Sequence, residues 1–402
     1  MHNRVLQNIF SAYSGYLSKT AQPLKNLKAI SSIQECRTKA MGSSYYRCKH
    51  NHVTEQYHSC RHRSCPLCSG RKQLQWVDQQ RRKLFDTEHF HVVFTIPHEY
   101  LQLWQYNEER LTDILFLSSK ETLFELMASK AYHGVTPGML MALHTWGRQL
   151  TLHPHIHCLI TAGGLTLREN WKETGEYLLP VRVVKSLYRG KFQALLLEQY
   201  RAGLLKLPPN WSIGQFDILF KACYRKEWSV RIQERYEHGR GVLLYFSRYI
   251  KGGPLKPKQI LNVDHKGLKF RYFDHRDQRR KQLRLKPLEF LRRILQHIPP
   301  IGKHMVRGYG LYAGCNKKKH DLCSNLVGLM KDQPLPAGLQ IQDLVVECGQ
   351  CHEPTKLSGR VWSKAKKGIS FIKGVARQDS AGGNVQHGDE PDTAGMGLFS
   401  SA

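Results

Sequence analysis

The chain has 402 residues, with 61 lysines and arginines against 32 acidic residues, a net charge of +29 and a pI near 9.8. That length allows a sizeable core in roughly two or three domains, and the basic excess points to a polyanionic partner, nucleic acid ahead of an anionic membrane. No stretch approaches the roughly eighteen apolar residues of a membrane span, and the N-terminus has no signal-peptide pattern. These features argue for the cytoplasm, where the eleven cysteines stay reduced and suit metal binding better than disulfides.

Residues 4–30 carry apolar positions at helix-compatible spacing, interrupted by Pro23. Cys36, Cys48, Cys60, Cys65 and Cys68 follow, with His50, His52, His58 and His62 among them. The Cys60-x4-Cys65-x2-Cys68 end is the specific part. A Cys-x2-Cys pair grips one tetrahedral Zn²⁺ through a tight turn, and an upstream pair completes the four ligands. Cys48 with His52 is the expected upstream pair, Cys36 is a further candidate, and the supply of ligands would even serve two ions. Arg61, Arg63, Arg71 and Lys72 surround this knuckle and suit phosphate or base-edge contacts, or else form a solvated charge cluster.

Residues 90–96 alternate and are rich in β-branched and aromatic side chains, which predicts a strand. A helix is expected over 109–131, a second strand over 139–145 and a third over 155–161, ended by Gly163-Gly164. Pro154 fits the first position of that third strand or the one before it. The segment that leads into this strand reads His153-Pro154-His155-Ile156-His157-Cys158-Leu159-Ile160. Because side chains alternate along a strand, His155 and His157 share a face, where two neutral imidazoles make half of a divalent-metal site. Two surface histidines are the plain alternative. His91, on the neighbouring strand, is the chosen third ligand, with His144 and His153 as competitors.

Helices are expected over 191–205 and 215–226, and strands over 228–232 and 268–273. Between these strands runs Gly241-Val242-Leu243-Leu244-Tyr245-Phe246-Ser247-Arg248-Tyr249-Ile250-Lys251. At about 100° per residue, Tyr245 and Tyr249 stand roughly 40° apart on one helical face. They are two candidate nucleophiles or a packing stripe, with Arg248 and Lys251 placed to hold a phosphate. Farther on, Cys348-x2-Cys351 could join Cys315 and Cys323 in a second zinc site, or remain a pair of reduced thiols. Residues 378–402 lack Lys and Arg and are rich in Gly and Ser, as in a flexible polar tail. A few antiparallel strands with interposed helices make an α+β fold.

Taken in order, the cysteine block, the His89-Phe90-His91 strand, Leu143-His144-Thr145-Trp146-Gly147, the His-Pro-His-Ile-His block, the two-tyrosine helix and Val306-Arg307-Gly308-Tyr309-Gly310-Leu311 resemble the rolling-circle transposases of bacterial insertion sequences. These belong to the HUH single-strand endonucleases, named for histidine, hydrophobic, histidine. The resemblance spans about residues 36–351. It implies a central antiparallel sheet carrying the histidines, the tyrosine helix packed against it, and a small zinc-binding domain in front. In that family the upstream zinc element is often Cys-x2-Cys, whereas this chain has Asn51 where the second cysteine would fall.

The expected segments are an N-terminal helical stretch (1–35), a zinc-binding domain (36–80), a catalytic domain (81–310), a C-terminal cysteine segment (311–356) and a polar tail (357–402). The expected activity is transposition. Tyr245 and Tyr249 would attack single-stranded DNA at element ends and at the target, with structural Zn²⁺ and catalytic Mg²⁺ or Mn²⁺. A plasmid replication initiator or relaxase would share the chemistry, and a zinc-dependent DNA-binding regulator would share only the charge and the cysteines. The +29 charge predicts binding dominated by phosphate contacts. In a filter-binding salt titration, log affinity for single-stranded DNA should fall against log salt by about 0.7 per phosphate contact, and a flat response would contradict this.

Overall fold

The computed structural model describes residues 4–18, 22–236, 253–255, 259–264, 267–274, 277–330 and 346–362. Two compact units divide the chain: Met1–Gly42 with Gln56–Val345, and Ser43–Glu55 with Val346–Ala402. Each unit is therefore discontinuous in sequence.

The larger unit begins with helices α1 (Val5–Ala12), α2 (Ser14–Ser18) and α3 (Leu24–Glu35), the last starting directly after Pro23. Proline there costs no helical hydrogen bond, because the first N–H groups of a helix have no intrahelical partner. The chain then passes through the hairpin of β1 (Gly42–Cys48) and β2 (Val53–Tyr57), which belongs mainly to the smaller unit, and returns as α4 (Ser69–Arg81). Strand β3 (His89–Thr95) leads to helices α5 (Leu101–Tyr106) and α6 (Glu108–Ala128). Strands β4 (Gly138–Trp146) and β5 (Leu152–Thr161) come next, then a short pair, β6 (Gly163–Leu165) and β7 (Trp171–Glu173).

Helix α7 (Val181–Arg201) begins some ten residues earlier than its apolar spacing suggests, at Pro180, which again sits at a helix start. Helix α8 (Ile213–Arg225) is fixed by a reciprocal cap between Ser212 and Gln215. Strand β8 (Val230–Tyr236) follows. A separate antiparallel sheet is made by β9 (Ile260–Asp264), β10 (Gly267–Asp274) and β11 (Arg279–Leu285). Helix α9 (Pro287–Leu295), strand β12 (Val306–Gly310) and helix α10 (Lys317–Val327) complete the described part of this unit. The smaller unit adds β13 (Thr355–Trp362), which pairs with β1 to give the sheet order β13-β1-β2. The fold is α+β.

The site rests on the five-stranded sheet of order β12-β4-β5-β3-β8, antiparallel at every pairing. Its alternating side chains sort into two faces. Phe90, Val92, Phe94, Met139, Met141, Leu143, Ile156, Cys158 and Ile160 form the apolar face, packed with Leu115 and Leu123 of α6 and Tyr188 and Phe192 of α7. The opposite face carries the histidines at one end and Leu140, Ala142 and Leu159 at the other, where Val77 of α4 covers them. Pro154 lies inside β5 instead of at its start. It is tolerated because the β4–β5 register shifts there, between His144 and Trp146, so that no regular ladder bond is lost. Gly163-Gly164 likewise does not end the sheet structure but forms β6, pressed so closely on residue 136 that a Cβ at Gly164 would sit 2.4 Å from the Thr136 carbonyl oxygen.

Edge strand β12 is held to α6 by Arg307, which pairs with Asp113 at 2.7 Å and lies over the Phe116 ring at 4.1 Å. Gly310 has φ +58, and a Cβ on it would meet the Pro137 carbonyl oxygen at 2.0 Å. Only glycine meets both demands.

Candidate active site

Antiparallel pairing brings together histidines that are distant in sequence. In the register of β4 and β5, His144 faces His155 directly, and His157 lies next along the same face. Ring centroids are 4.1 Å apart for His144 and His157, 5.3 Å for His144 and His155, and 4.7 Å for His155 and His157. One nitrogen from each of the three lies within 4.8 Å of the others, close enough to share one divalent ion.

Hydrogen bonds orient two of these rings. His155 Nδ1 donates to the His153 carbonyl oxygen at 2.6 Å, so the lone pair of that ring is on Nε2. His91 Nδ1 lies 2.5 Å from Gln233 Oε1, an acceptor, so that nitrogen carries the proton. The other nitrogen of His91 then accepts from His157 Nδ1 at 2.8 Å, and His157 also presents Nε2. Gln233, His91 and His157 thus form a relay that fixes one tautomer. The geometry groups His144, and not the expected His91, with His155 and His157, while His91 meets His157 through its second ring nitrogen. Its strand position allowed an inward direction, but pairing with Leu159 offsets it from the His155 row, whereas His144 is opposite His155.

A second cluster gathers at the end of α3. The sulfurs of Cys36, Cys60, Cys65 and Cys68 lie within 4.8 Å of one another, with Cys60 and Cys68 at 3.7 Å. Four sulfurs about 2.3 Å from one tetrahedral zinc are spaced about 3.8 Å apart, so the quartet fits the ion. The Cys60 N–H points at Cys36 Sγ and the His62 N–H at Cys60 Sγ, as suits thiolates. Cys36 and Cys60 therefore take the place expected for Cys48 and His52. Cys36 can do so because the chain after α3 turns back onto the knuckle, with the Arg37 N–H donating to the His58 carbonyl oxygen. Cys68 directly precedes α4, so the knuckle also sets where that helix begins.

Comparison with known proteins gives these two clusters a family. A family model described as "Putative transposase" matches residues 138–320, and one described as "Transposase zinc-binding domain" matches residues 8–96. The chain is 29% identical over 316 residues to "Putative transposase y4qJ" of Sinorhizobium fredii (strain NBRC 101917 / NGR234), covering 76% of this chain and 79% of the relative. It is 29% identical over 320 residues to the transposase for insertion sequence element IS801 of Pseudomonas savastanoi pv. phaseolicola, covering 77% of this chain and 76% of that one. Along most of its length this chain resembles the insertion-sequence transposases. A solved conjugative relaxase in complex with oriT DNA, in a metal-bound structure, matches 40% of this chain and 72% of its own at 13% identity, with a TM-score of 0.22. That likeness is too slight to argue from.

The chain places its other expected site residues unevenly. Arg61 is exposed on the knuckle, with φ 58, and Lys72 is half-buried on α4. Arg63 is a brace: its guanidinium donates to the carbonyl oxygens of Pro300 and Lys303, and burial lowers its pKa. Arg71 falls in α4, but its side chain lies outside the described residues, as do Tyr245, Tyr249, Arg248 and Lys251. Cys315 is exposed, and Cys323 is buried in an apolar cluster with Phe85, Leu165 and Leu311. Neither belongs to a group of metal-ligand side chains among the described residues. A thiol among apolar side chains packs as a small hydrophobe. No described helix is long and apolar enough to cross a membrane.

Sequence reasoning missed Gln233, which has no motif of its own and is identified only by its pairing opposite His91. The pairing of β10 with β11 also gathers basic residues, in keeping with the run of arginines and lysines between residues 276 and 286. On β10 and β11, Lys269 pairs with Arg284, Arg271 with Gln282 and Phe273 with Arg280.

Desolvation holds His144 and His157 well below the usual histidine range, with the neighbouring imidazoles adding to the effect, and lowers His91 as well. Burial is the main cause that takes His89 and His297 down to about 4, with the charge of Lys25 adding to it at His297. Neutral rings are what a metal requires. Because the folded pKa values lie below the unfolded one, stability is full above about pH 6.5 and falls as the unfolded chain takes up protons below it. In metal-free protein, each such histidine should cost about 1.4 kcal/mol by pH 5.5. Urea denaturation across pH 7.5 to 5.5 checks this. An unchanged midpoint would mean that the rings are not held neutral.

Proposed function

We propose that this chain is a transposase that cleaves and rejoins single-stranded DNA at the ends of its mobile element through a tyrosine-linked intermediate. The observation that carries the reading is the convergence of His144, His155 and His157 on one sheet face, with a ligand nitrogen of each within 4.8 Å of the others. A zinc-dependent regulator would have no use for it.

The trio would hold Mg²⁺ or Mn²⁺, and such an ion supplies charge withdrawal from the non-bridging oxygens of a phosphate. His91 and Gln233 fix the orientation of the His157 ring and hold its proton on Nδ1. Tyr245 or Tyr249 supplies the nucleophile: its phenolic oxygen bonds to phosphorus while its proton passes to solvent, and the bond from phosphorus to the 3′-oxygen breaks. The 3′-oxygen takes a proton from solvent and leaves as a hydroxyl, and the 5′-phosphate remains on the tyrosine. A later 3′-hydroxyl attack reverses these bonds and frees the enzyme. One phosphodiester is exchanged for another, so no nucleotide hydrolysis is needed. Two tyrosines would allow two transfers in succession, first at the element end and then at the target. Arg248 and Lys251 beside Tyr249 would hold the scissile phosphate. The reaction would proceed in the cytoplasm, where the thiols of the knuckle stay reduced.

Labelled single-stranded element-end DNA with Mn²⁺ should yield a covalent adduct that survives denaturing electrophoresis. Replacing His144, His155 or His157 by Ala should lower adduct formation at least about 100-fold, the scale of a lost electrostatic contribution. DNA affinity should stay within about threefold, because it comes mainly from phosphate contacts. His91→Ala should cost less, about 10-fold, as expected for a group that only orients a ligand. The double change Tyr245→Phe and Tyr249→Phe should abolish the adduct. Full adduct formation by that variant would end the tyrosine mechanism.

A further inference from the structure

We propose that Cys48, His52, Cys348 and Cys351 form a second zinc site, which closes the smaller unit of the chain. Cys351 Sγ lies 3.7 Å from Cys48 Sγ, and Cys348 Sγ lies 3.7 Å from His52 Nδ1. These separations are close to the edges of a zinc tetrahedron, about 3.8 Å between two sulfurs and somewhat less between sulfur and nitrogen. They are far beyond the ~2.05 Å of a disulfide.

Two loops of similar build supply the ligands. In the first, the Asn51 N–H donates to the Cys48 carbonyl oxygen at 3.0 Å, Asn51 has φ 64, and the Cys48 N–H donates to the His52 carbonyl oxygen at 3.2 Å. In the second, the His352 N–H donates to the Cys348 carbonyl oxygen at 3.0 Å, His352 has φ 57, and the Cys348 N–H donates to the Glu353 carbonyl oxygen at 2.9 Å. The Gln350 N–H points at Cys348 Sγ at 3.4 Å, the same N–H to sulfur contact that marks the Cys36 quartet. Lys49 and Glu353 pair across the loops at 2.7 Å, and the Gly349 N–H donates to Thr54 Oγ1.

The smaller unit needs such a staple. Its described part is one three-stranded sheet, on which Val53, Leu357 and Trp362 are exposed while Cys48 and Cys348 are buried. A sheet this small cannot bury enough apolar surface to stand alone, and a structural metal is a common remedy. The ion would also join segments about 300 residues apart, since Cys48 and Cys351 are separated by 303 positions. Closing so long a loop removes much entropy from the unfolded chain. His50 is close enough to compete as a ligand but is exposed, whereas His52 is half-buried and faces Cys348.

Zinc content is the first test, measured on the full-length protein by native mass spectrometry. Wild type should hold one zinc ion more than the variant Cys348→Ser with Cys351→Ser. Equal zinc content in the two would overturn the proposal. A second measurement needs no variant. Cys351 is half-exposed and Cys315 exposed, so burial alone does not shield either from iodoacetamide. In the native protein Cys315 should react at once, and Cys351 only after a zinc chelator is added. Equal labelling of the two before chelation would refute the site. His52→Ala should weaken the second ion at least tenfold in chelator competition and His50→Ala should not; the reverse would exclude His52 as the ligand.

Discussion

The antiparallel register of β4 against β5 is the constraint on which the site depends. It sets His144 directly opposite His155, and strand alternation adds His157 to the same face. A slip of one residue would turn His144 toward the apolar core and put Leu143 among the imidazoles. That slip is opposed by the other face, where Met141, Leu143, Ile156 and Cys158 are packed against α6 and α7. The hydrophobic core thus enforces the geometry of a polar site that it never touches. Desolvation follows from the same arrangement and keeps the rings neutral.

The zinc knuckle is tied to this sheet by a short covalent and packing route within one unit. Cys68 leads directly into α4, and Val77 of that helix packs on Leu140, Ala142 and Leu159, on the face that carries the histidines. Cys36 anchors the other side of the knuckle at the end of α3, whose Ile30 and Ile33 are buried with Phe270 and Leu285 of the basic β9–β11 sheet. Metal, helix and sheet are therefore mechanically connected. The exposed side chains Arg271 and Arg284 lie on that sheet, so the cluster that supports the knuckle also supports a cationic surface.

Much of this was legible in the sequence, because local patterns carry it. Alternation located β3, β4 and β5, and helical spacing located α6 and α8. The pairing of His155 with His157 needed only the period of a strand. Register is a different kind of information: nothing local says that residue 144 lies opposite residue 155, so His144 could be named only as a competitor of His91. The zinc ligands show the same limit. The Cys-x2-Cys end was readable, yet Cys36 and Cys48 are both plausible upstream partners by spacing, and the path of the chain after α3 decides between them. Cys348 and Cys351 were recognisable as a ligand pair, but their neighbours at Cys48 and His52 lie about 300 positions away. Strand β12 was missed as a strand because two of its five residues, Gly308 and Gly310, are glycines that the close passage of the chain requires.

The central claim is that His144, His155 and His157, with His91 behind them, hold a divalent ion. Pulsed electron paramagnetic resonance of bound Mn²⁺ tests it most directly, because coupled ligand ¹⁴N nuclei report how many imidazoles coordinate. Wild type should show three coordinated imidazoles, His144→Ala two, and His91→Ala three. Loss of an imidazole in the His91 variant, with none lost in the His144 variant, would contradict the account.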